Sequence, residues 1–363
     1  MEKLNRKSNF ELLRIVAMFM IVAAHCTSIG LMHTLSADTD LKTLWLSANL
    51  TNRVTALLFY GGGVVGVNVF FMLSGYFLYS KQASVQKIKK LLFPVYIYSV
   101  FAGVVGVIYL LLYKNTGGGL FRNGFARYFL DVVFPIGRGD YWFITVYILL
   151  YATVGSVNAL FEVLDKKKHL FFLLFFFLAF VFCASVIGEP YIDIQRAFFA
   201  FSMGMYLRKY PIKIVKYKCL IVFFLFWILM WGTQILQMDL QIRSIRYGKY
   251  MIRLLDSFWR YPLASVCSLS LFVLLSRMEL PDNAVVNKVA DATFGVYLLH
   301  MSPMMEAIWL LTGVERLYQT KFYPLFIMPL LFISYIVFTF VELTRKNLFR
   351  KIHGHFLSNK TKD

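Results

Sequence analysis

Apolar runs recur along almost the whole chain, separated by short stretches that carry most of the charge. Many of these runs reach the roughly 20 residues that a helix needs to cross about 30 Å of hydrocarbon. The pattern predicts spans at about 10–30, 62–80, 91–113, 141–161, 170–187, 193–208, 218–237, 258–276, 293–312 and 322–343. It therefore predicts an all-α, polytopic integral membrane protein of about ten transmembrane helices. With the spans removed, no soluble domain of useful size is left. Residues 1–363 read as one transmembrane domain, with a basic tail over 346–363 and the longest loops near 31–58 and 114–140.

Charge adds an orientation. The chain holds 38 Lys and Arg against 19 Asp and Glu, a net charge of +19 that in a soluble protein would suggest nucleic acid. Here the cations cluster in loops. Lys3, Arg6 and Lys7, then Lys81, Lys87, Lys89 and Lys90, then Lys166 to Lys168, then Arg208, Lys209, Lys213, Lys216 and Lys218, then Arg277 and Lys288, and finally Arg345, Lys346, Arg350, Lys351, Lys360 and Lys362 all fall on one side of the alternating spans. The positive-inside rule makes that side cytoplasmic and places both termini there. Membrane lipid is the expected partner, and nucleic acid is not. One loop runs against the rule: residues 238–257 carry Arg243, Arg246, Lys249 and Arg253 yet fall outside. Either a span is miscounted or these cations meet an anionic ligand.

Composition agrees with the pattern, at 59% hydrophobic, 18% aromatic and only 16% charged residues, with a mean hydropathy of +0.64. Cys26, Cys183, Cys219 and Cys267 lie in apolar segments without metal or redox spacing, so they read as small core hydrophobes and no metal is expected. Arg14 interrupts the first apolar run, and more spans follow, so that run reads as a span and not as a cleaved leader.

The first span carries the most pointed chemistry. In "NFELLRIVAMFMIVAAHC", Arg14 and His25 are eleven residues apart, which on a helix is about 20° past three full turns and a rise of about 16.5 Å. They share a face at different depths. Glu11 is one turn before Arg14 and within pairing reach. Ionisable groups at membrane depth cost at least about 2.5 to 3.5 kcal/mol on insertion scales, which makes them functional candidates. The alternatives are a snorkelling Arg14 and an interfacial His25.

The sequence resembles the membrane-bound acyltransferase-3 family. "ELLRIVAMFMIVAAHC" resembles its first helix, and "GVNVFFMLSGYFL", with Gly66, Ser74 and Gly75, resembles its second-helix signature. The small residues there also suit close helix packing. "KIKKLLFPVY" resembles the basic entry to a Pro-containing third helix, although Lys87 and Lys90 stand where many relatives have Arg and so lack a planar fork for phosphate. "DYWFITVYILLY" resembles the Trp-Phe entry to the fourth helix, and "ATFGVYLLH", with Tyr297 and His300, the ninth-helix motif. Glu342 matches a final-helix Glu, without the Pro that commonly follows it. The resemblance runs from about 9 to 345.

The resemblance implies an enzyme of the bacterial cytoplasmic (inner) membrane that transfers an acetyl group from acetyl-CoA to a hydroxyl of an extracellular or cell-wall polysaccharide, or of its lipid-linked precursor, alongside polysaccharide-assembly proteins. A neutral imidazole suits proton removal from a sugar hydroxyl. His25 is accordingly the first candidate for general base, or for an acyl-carrying nucleophile, and His300 and Tyr297 are candidate assistants. Arg14 is a candidate for CoA phosphate or thioester contact, as are Lys87 and Lys90 for phosphate, with Glu11 and Ser74 in support. Arg138, Asp140 and Trp142 form a polar-aromatic set suited to sugar, and Asp193 and Arg196 have the spacing of an ion pair. The competing readings are a polysaccharide exporter or flippase, and an acyltransferase with another acyl donor or an amino acceptor.

Overall fold

The computed structural model describes residues 8–28, 48–113, 121, 124–137, 141–188, 191–243, 248–305, 309 and 312–360. Among them there is no strand. The chain folds as α1 (Ser8–Thr27), α2 (Leu50–Tyr60), α3 (Gly62–Leu78), α4 (Val85–Tyr113), α5 (Phe125–Val133), α6 (Trp142–Ala152), α7 (Val154–Val163) and α8 (Lys166–Phe176). A π-helical stretch (Phe177–Cys183) and a last turn (Ala184–Ile187) extend α8. Then come α9 (Ile192–Lys209), α10 (Lys216–Arg243), α11 (Gly248–Phe258), a π-helical turn (Trp259–Leu263), α12 (Ala264–Ser276), α13 (Ala284–His300), α14 (Val314–Tyr318) and α15 (Tyr323–Lys360).

Among the described residues seven helices are long and apolar enough to cross a membrane, or eight if α6 and α7, bent by 57° at their junction, form one span. α9 and α13 are the two predicted spans that do not meet this measure. α13 has 17 residues, and α9 carries Asp193, Arg196, Arg208 and Lys209.

Boundaries differ from the sequence expectation in instructive ways. α2 runs into α3, so the second span extends back to Leu50 through ground expected to be loop. α13 begins at Ala284, where Asn283 accepts hydrogen bonds from the amides of Val285 and Val286, and it ends at His300. This N-cap overrides the polar Asn287, Lys288 and Asp291, which had suggested a loop. His300 consequently stands at the end of its helix and not in the middle. The final helix runs on to Lys360, carrying the expected basic tail into helix.

Two ends of the bundle can be told from hydrogen bonds between loops. At one end Ser8 accepts from the Asn283 amide at 2.9 Å, Asn9 donates to the Ser276 carbonyl at 2.8 Å, and Lys209 donates to the carbonyls of Phe161 and Leu164. At the other, Asn52 donates to the carbonyls of Tyr318 and Thr320, Trp231 donates to the Val54 carbonyl, and Arg253 donates to that of Ile187. α1 and α13 are thus held in parallel.

α3 is the central column, packed between α1 and α9. Its glycines permit this. A Cβ on Gly66 would strike the Ala17 carbonyl and Ile21, and one on Gly75 would overlap the Phe201 carbonyl, while Gly204 of α9 faces Met72 in the same way. The motif glycines therefore set the backbone-to-backbone approach that fixes where α1 presents its charged face.

Candidate active site

His25 and His300 meet at the far ends of the parallel α1 and α13, with His25 Nδ1 and His300 Nε2 3.0 Å apart. His300 is fully buried, and its Nδ1 lies 2.7 Å from the Val296 carbonyl. A carbonyl can only accept, so Nδ1 of His300 carries the hydrogen and Nε2 is an acceptor. His25 must then donate from Nδ1. That leaves Nε2 of His25 with a free lone pair on a partly exposed ring. Sequence order hides this pair, because 275 residues separate its members.

Three neighbouring cavities share lining residues, and two of them reach His25. The inner one is lined by Arg14, Ser74, Tyr147, Asp291 and the aromatic rings of Phe143 and Phe294. The middle one shares Phe70, Phe143, Thr293 and Phe294 with it and reaches His25, Trp142 and Tyr297. The outer one shares His25, Val67 and Trp142 with the middle one and is lined beyond them by Tyr60, Asp193, Arg196, Trp259 and Arg260. His25 thus lines both the middle and the outer cavity.

Arg14 sits on the inner cavity while paired with Glu11, its Nη1 3.0 Å from both carboxylate oxygens. The guanidinium also lies 5.7 Å from the Phe77 ring. Pairing with Glu11 lowers the cost of holding the cation at this depth and leaves other donors of the fork for a ligand. Ser74 donates its hydroxyl to the Phe70 carbonyl, four residues earlier, and also lines this cavity.

Not all the predicted residues converge. Lys87 and Lys90 are exposed on the first turns of α4 and line none of the three cavities, although the neighbouring Leu91 lines the inner one. Trp142 and Tyr297 do converge, through ring contacts with Phe143 at 6.2 and 5.4 Å. Arg138 and Asp140 lie outside the described residues. Glu342 takes no part in the cavities: it is buried, accepting from the Tyr98 hydroxyl at 2.6 Å and from Arg345 at 2.7 and 2.8 Å. There it ties α15 to α4 and packs on Gly295 of α13.

Tyr60, Trp259 and Arg260 are not among the candidates that the sequence motifs single out. A signal was present, since Arg260 falls inside a predicted span where a cation needs explaining. Asp193 and Arg196, expected as an ion pair, are one at 3.0 Å and also line the outer cavity. No group of three or more His, Cys, Asp or Glu among the described residues is placed to hold a metal ion.

Compared with known families, residues 7–342 match the acyltransferase-3 sequence model, described as an acyltransferase domain. The chain belongs to the acyltransferase-3 family. No curated protein and no solved structure matches it. As an acyltransferase-3 protein with several membrane-crossing helices it is a multi-pass membrane acyltransferase, which favours an enzyme over the exporter or flippase. Four of its motif segments fall on α1, α3, α6 and α13, the helices that line the middle cavity, while the basic segment falls on α4 and Glu342 on α15.

Proposed function

We propose that this acyltransferase-3 protein moves an acetyl group from acetyl-CoA, entering by the inner cavity, to a sugar hydroxyl held in the outer one, on an extracellular or cell-wall polysaccharide or its lipid-linked precursor. The observation that carries the reading is the His25–His300 pair where the two approaches join. The bacterial cytoplasmic membrane is the expected location. The inner side is assigned by the cation clusters at the end where α1 begins. The parallel α1 and α13 fit a count of about ten crossings, in which they are the first and ninth spans and run in the same direction.

Acetyl-CoA, bound as donor, supplies a thioester-activated acetyl group. Arg14 suits the anionic or carbonyl oxygens of such a donor, and the aromatic walls of the inner and middle cavities suit its slender apolar arm and exclude water. Lys87 and Lys90, just outside, offer long-range attraction for its phosphates but no cavity contact.

His25 Nε2 takes the proton of the acceptor hydroxyl as that oxygen attacks the acyl carbon. The imidazolium that forms keeps its Nδ1–H on His300 Nε2, which the Val296 carbonyl holds in the accepting tautomer. The proton then passes to the departing thiolate. Because His25 lines the middle and outer cavities, an acyl group that extends from the inner cavity through the middle one meets the acceptor at His25, and direct transfer requires no movement of an acyl-histidine between the two sides.

The test compares surface-glycan acetyl content by proton NMR in cells with the native protein and with His25→Ala at equal membrane abundance. Loss of alkali-labile acetyl signals in the variant is expected. Unchanged acetylation would remove His25 from catalysis, and loss of alkali-stable signals would point to an amino acceptor.

A further inference from the structure

The outer cavity has a chemistry unlike that of the passage leading to it. Where the middle cavity is mostly apolar, the outer lining brings together two indoles, a tyrosine, two arginines and an aspartate around His25 and Ser28. Part of this lining is carried by the π-helical turn Trp259–Leu263, which contains Pro262. Proline has no N–H for the regular ladder, and the wider turn places Trp259 and Arg260 together on the cavity wall.

The two arginines differ in their freedom. Arg260 is fully engaged: it makes a two-pronged pair with Asp256 at 2.9 and 3.1 Å, contacts the Tyr60 hydroxyl and lies 4.6 Å from the Trp259 ring. Arg196 is only 6% exposed, is paired through Nη2 with Asp193 at 3.0 Å, and lies 5.7 Å from the Trp142 ring. Its Nε is buried and has no hydrogen-bond partner. A buried, unpaired donor on a cation is costly, and because Arg196 also lines the cavity, its guanidinium is the group that a ligand oxygen would meet there.

Charge decides which kind of ligand. Each arginine already faces its own carboxylate, so among the described residues the cavity has no surplus cation for a carboxylate or phosphate. The Asp193 carboxylate, more than half exposed, would repel one. A neutral sugar ring fits both halves of this arrangement. Its hydroxyls accept from the Arg196 guanidinium and donate to Asp193, and its C–H face lies against indole. We propose that the outer cavity is the acceptor subsite and that it selects an uncharged sugar ring over an acidic one. This rests on the acyl-transfer reading above and narrows its substrate class.

The test uses the full chain in lipid nanodiscs and matched pairs of probes: methyl glucoside with methyl glucuronoside, and methyl galactoside with methyl galacturonoside. Binding is read by tryptophan fluorescence, which is independent of chemistry, and transfer by radiolabelled acetyl from acetyl-CoA. At least one neutral glycoside should bind about fivefold or more tightly than its acidic partner, a modest ratio because Asp193 is solvent-screened. Trp142→Phe should remove much of the response, Arg196→Gln should weaken binding of the neutral probe, and Asp193→Asn should bring the pair to near equality. Melting temperatures confirm that each variant is folded. Equal or tighter binding of the acidic probes, no response to any probe, or a preference unmoved by Asp193→Asn would overturn the proposal. Neutral-selective binding without acetyl transfer would leave the subsite standing and overturn the acyl-transfer reading instead.

Discussion

The arrangement of His300 predicts a specific loss. In the native protein His300 accepts from His25 Nδ1 at 3.0 Å and is itself fixed by the Val296 carbonyl at 2.7 Å. His300→Ala leaves His25 in place but removes the acceptor that orients it and that faces the positive ring in the transition state. A hydrogen bond to a charged group contributes about 1.5 to 3 kcal/mol, so kcat should fall by about 10- to 150-fold. KM for acetyl-CoA should change little, because Arg14 lies about 16 Å away along α1 by helical rise. His25→Ala should cost more, about 10²- to 10⁴-fold, the range for a general base. The double variant should be no worse than His25→Ala alone, since an orienting group has nothing left to orient. The assay is thiol release from acetyl-CoA by purified protein in proteoliposomes, with acceptor present. His300→Gln, whose amide oxygen can accept from His25, should recover part of the rate. Full activity in His300→Ala, or additive losses in the double variant, would refute the relay.

Other perturbations test the frame around the pair. Arg14→Gln should raise KM for acetyl-CoA by about tenfold or more, the loss of one charge-assisted contact, as read by initial rates against donor concentration. Lys87→Gln with Lys90→Gln should leave KM within about threefold at physiological salt, because neither side chain lines a cavity and their attraction is screened. Gly75→Ala should destabilise the bundle by about 1 to 3 kcal/mol or more through its clash with the Phe201 carbonyl, seen as a lower melting temperature in detergent. Glu342→Leu should cost about 3 to 5 kcal/mol, because it strands Arg345 and the Tyr98 hydroxyl inside the bundle; unchanged melting would show the network to be dispensable.

How much of this could be read from the sequence depends on the kind of information each feature carries. The helices were legible because bilayer thickness forces long apolar runs, and Arg14 and His25 stood out because a span does not tolerate ionisable groups without reason. The pairing of Glu11 with Arg14 followed from helical periodicity. The partner of His25 was not legible in the same way: His300 carried its own motif, yet nothing in the chain states that two helix ends 275 residues apart meet. The boundary of α13 was misplaced because hydropathy weighs Asn287, Lys288 and Asp291 as loop residues. It does not see that Asn283 caps a helix buried against α1 and α15. The outer cavity was the least legible part, since Tyr60, Trp142, Arg196 and Arg260 come from four separate helical segments and only the fold assembles them.

A transferase that takes its donor from one side of a membrane and its acceptor from the other must join the two approaches without opening a pore for ions. In the proposed reaction the middle cavity would meet this requirement. Met18, Ile21, Val67, Phe70, Phe143 and Phe294 make most of its wall, with Thr293, Tyr297, Trp142 and His25 as its polar-bearing members, so hydrated ions find little to replace their water. An acyl chain and its thioester tolerate such walls well. The polar groups stand at its limits, with Arg14 in the adjoining inner cavity and the Arg196–Asp193 pair in the outer one. His25, held by a buried and neutral partner, is the polar group common to the middle and outer cavities. Placing the base at the end of an apolar passage gives the reaction a dry acyl group and keeps bulk water from competing with the sugar hydroxyl. The same placement explains why His300 serves as orienting partner where many hydrolytic sites use a carboxylate. A buried anion at this depth would itself need a cation, and a neutral imidazole fixed by a backbone carbonyl needs none.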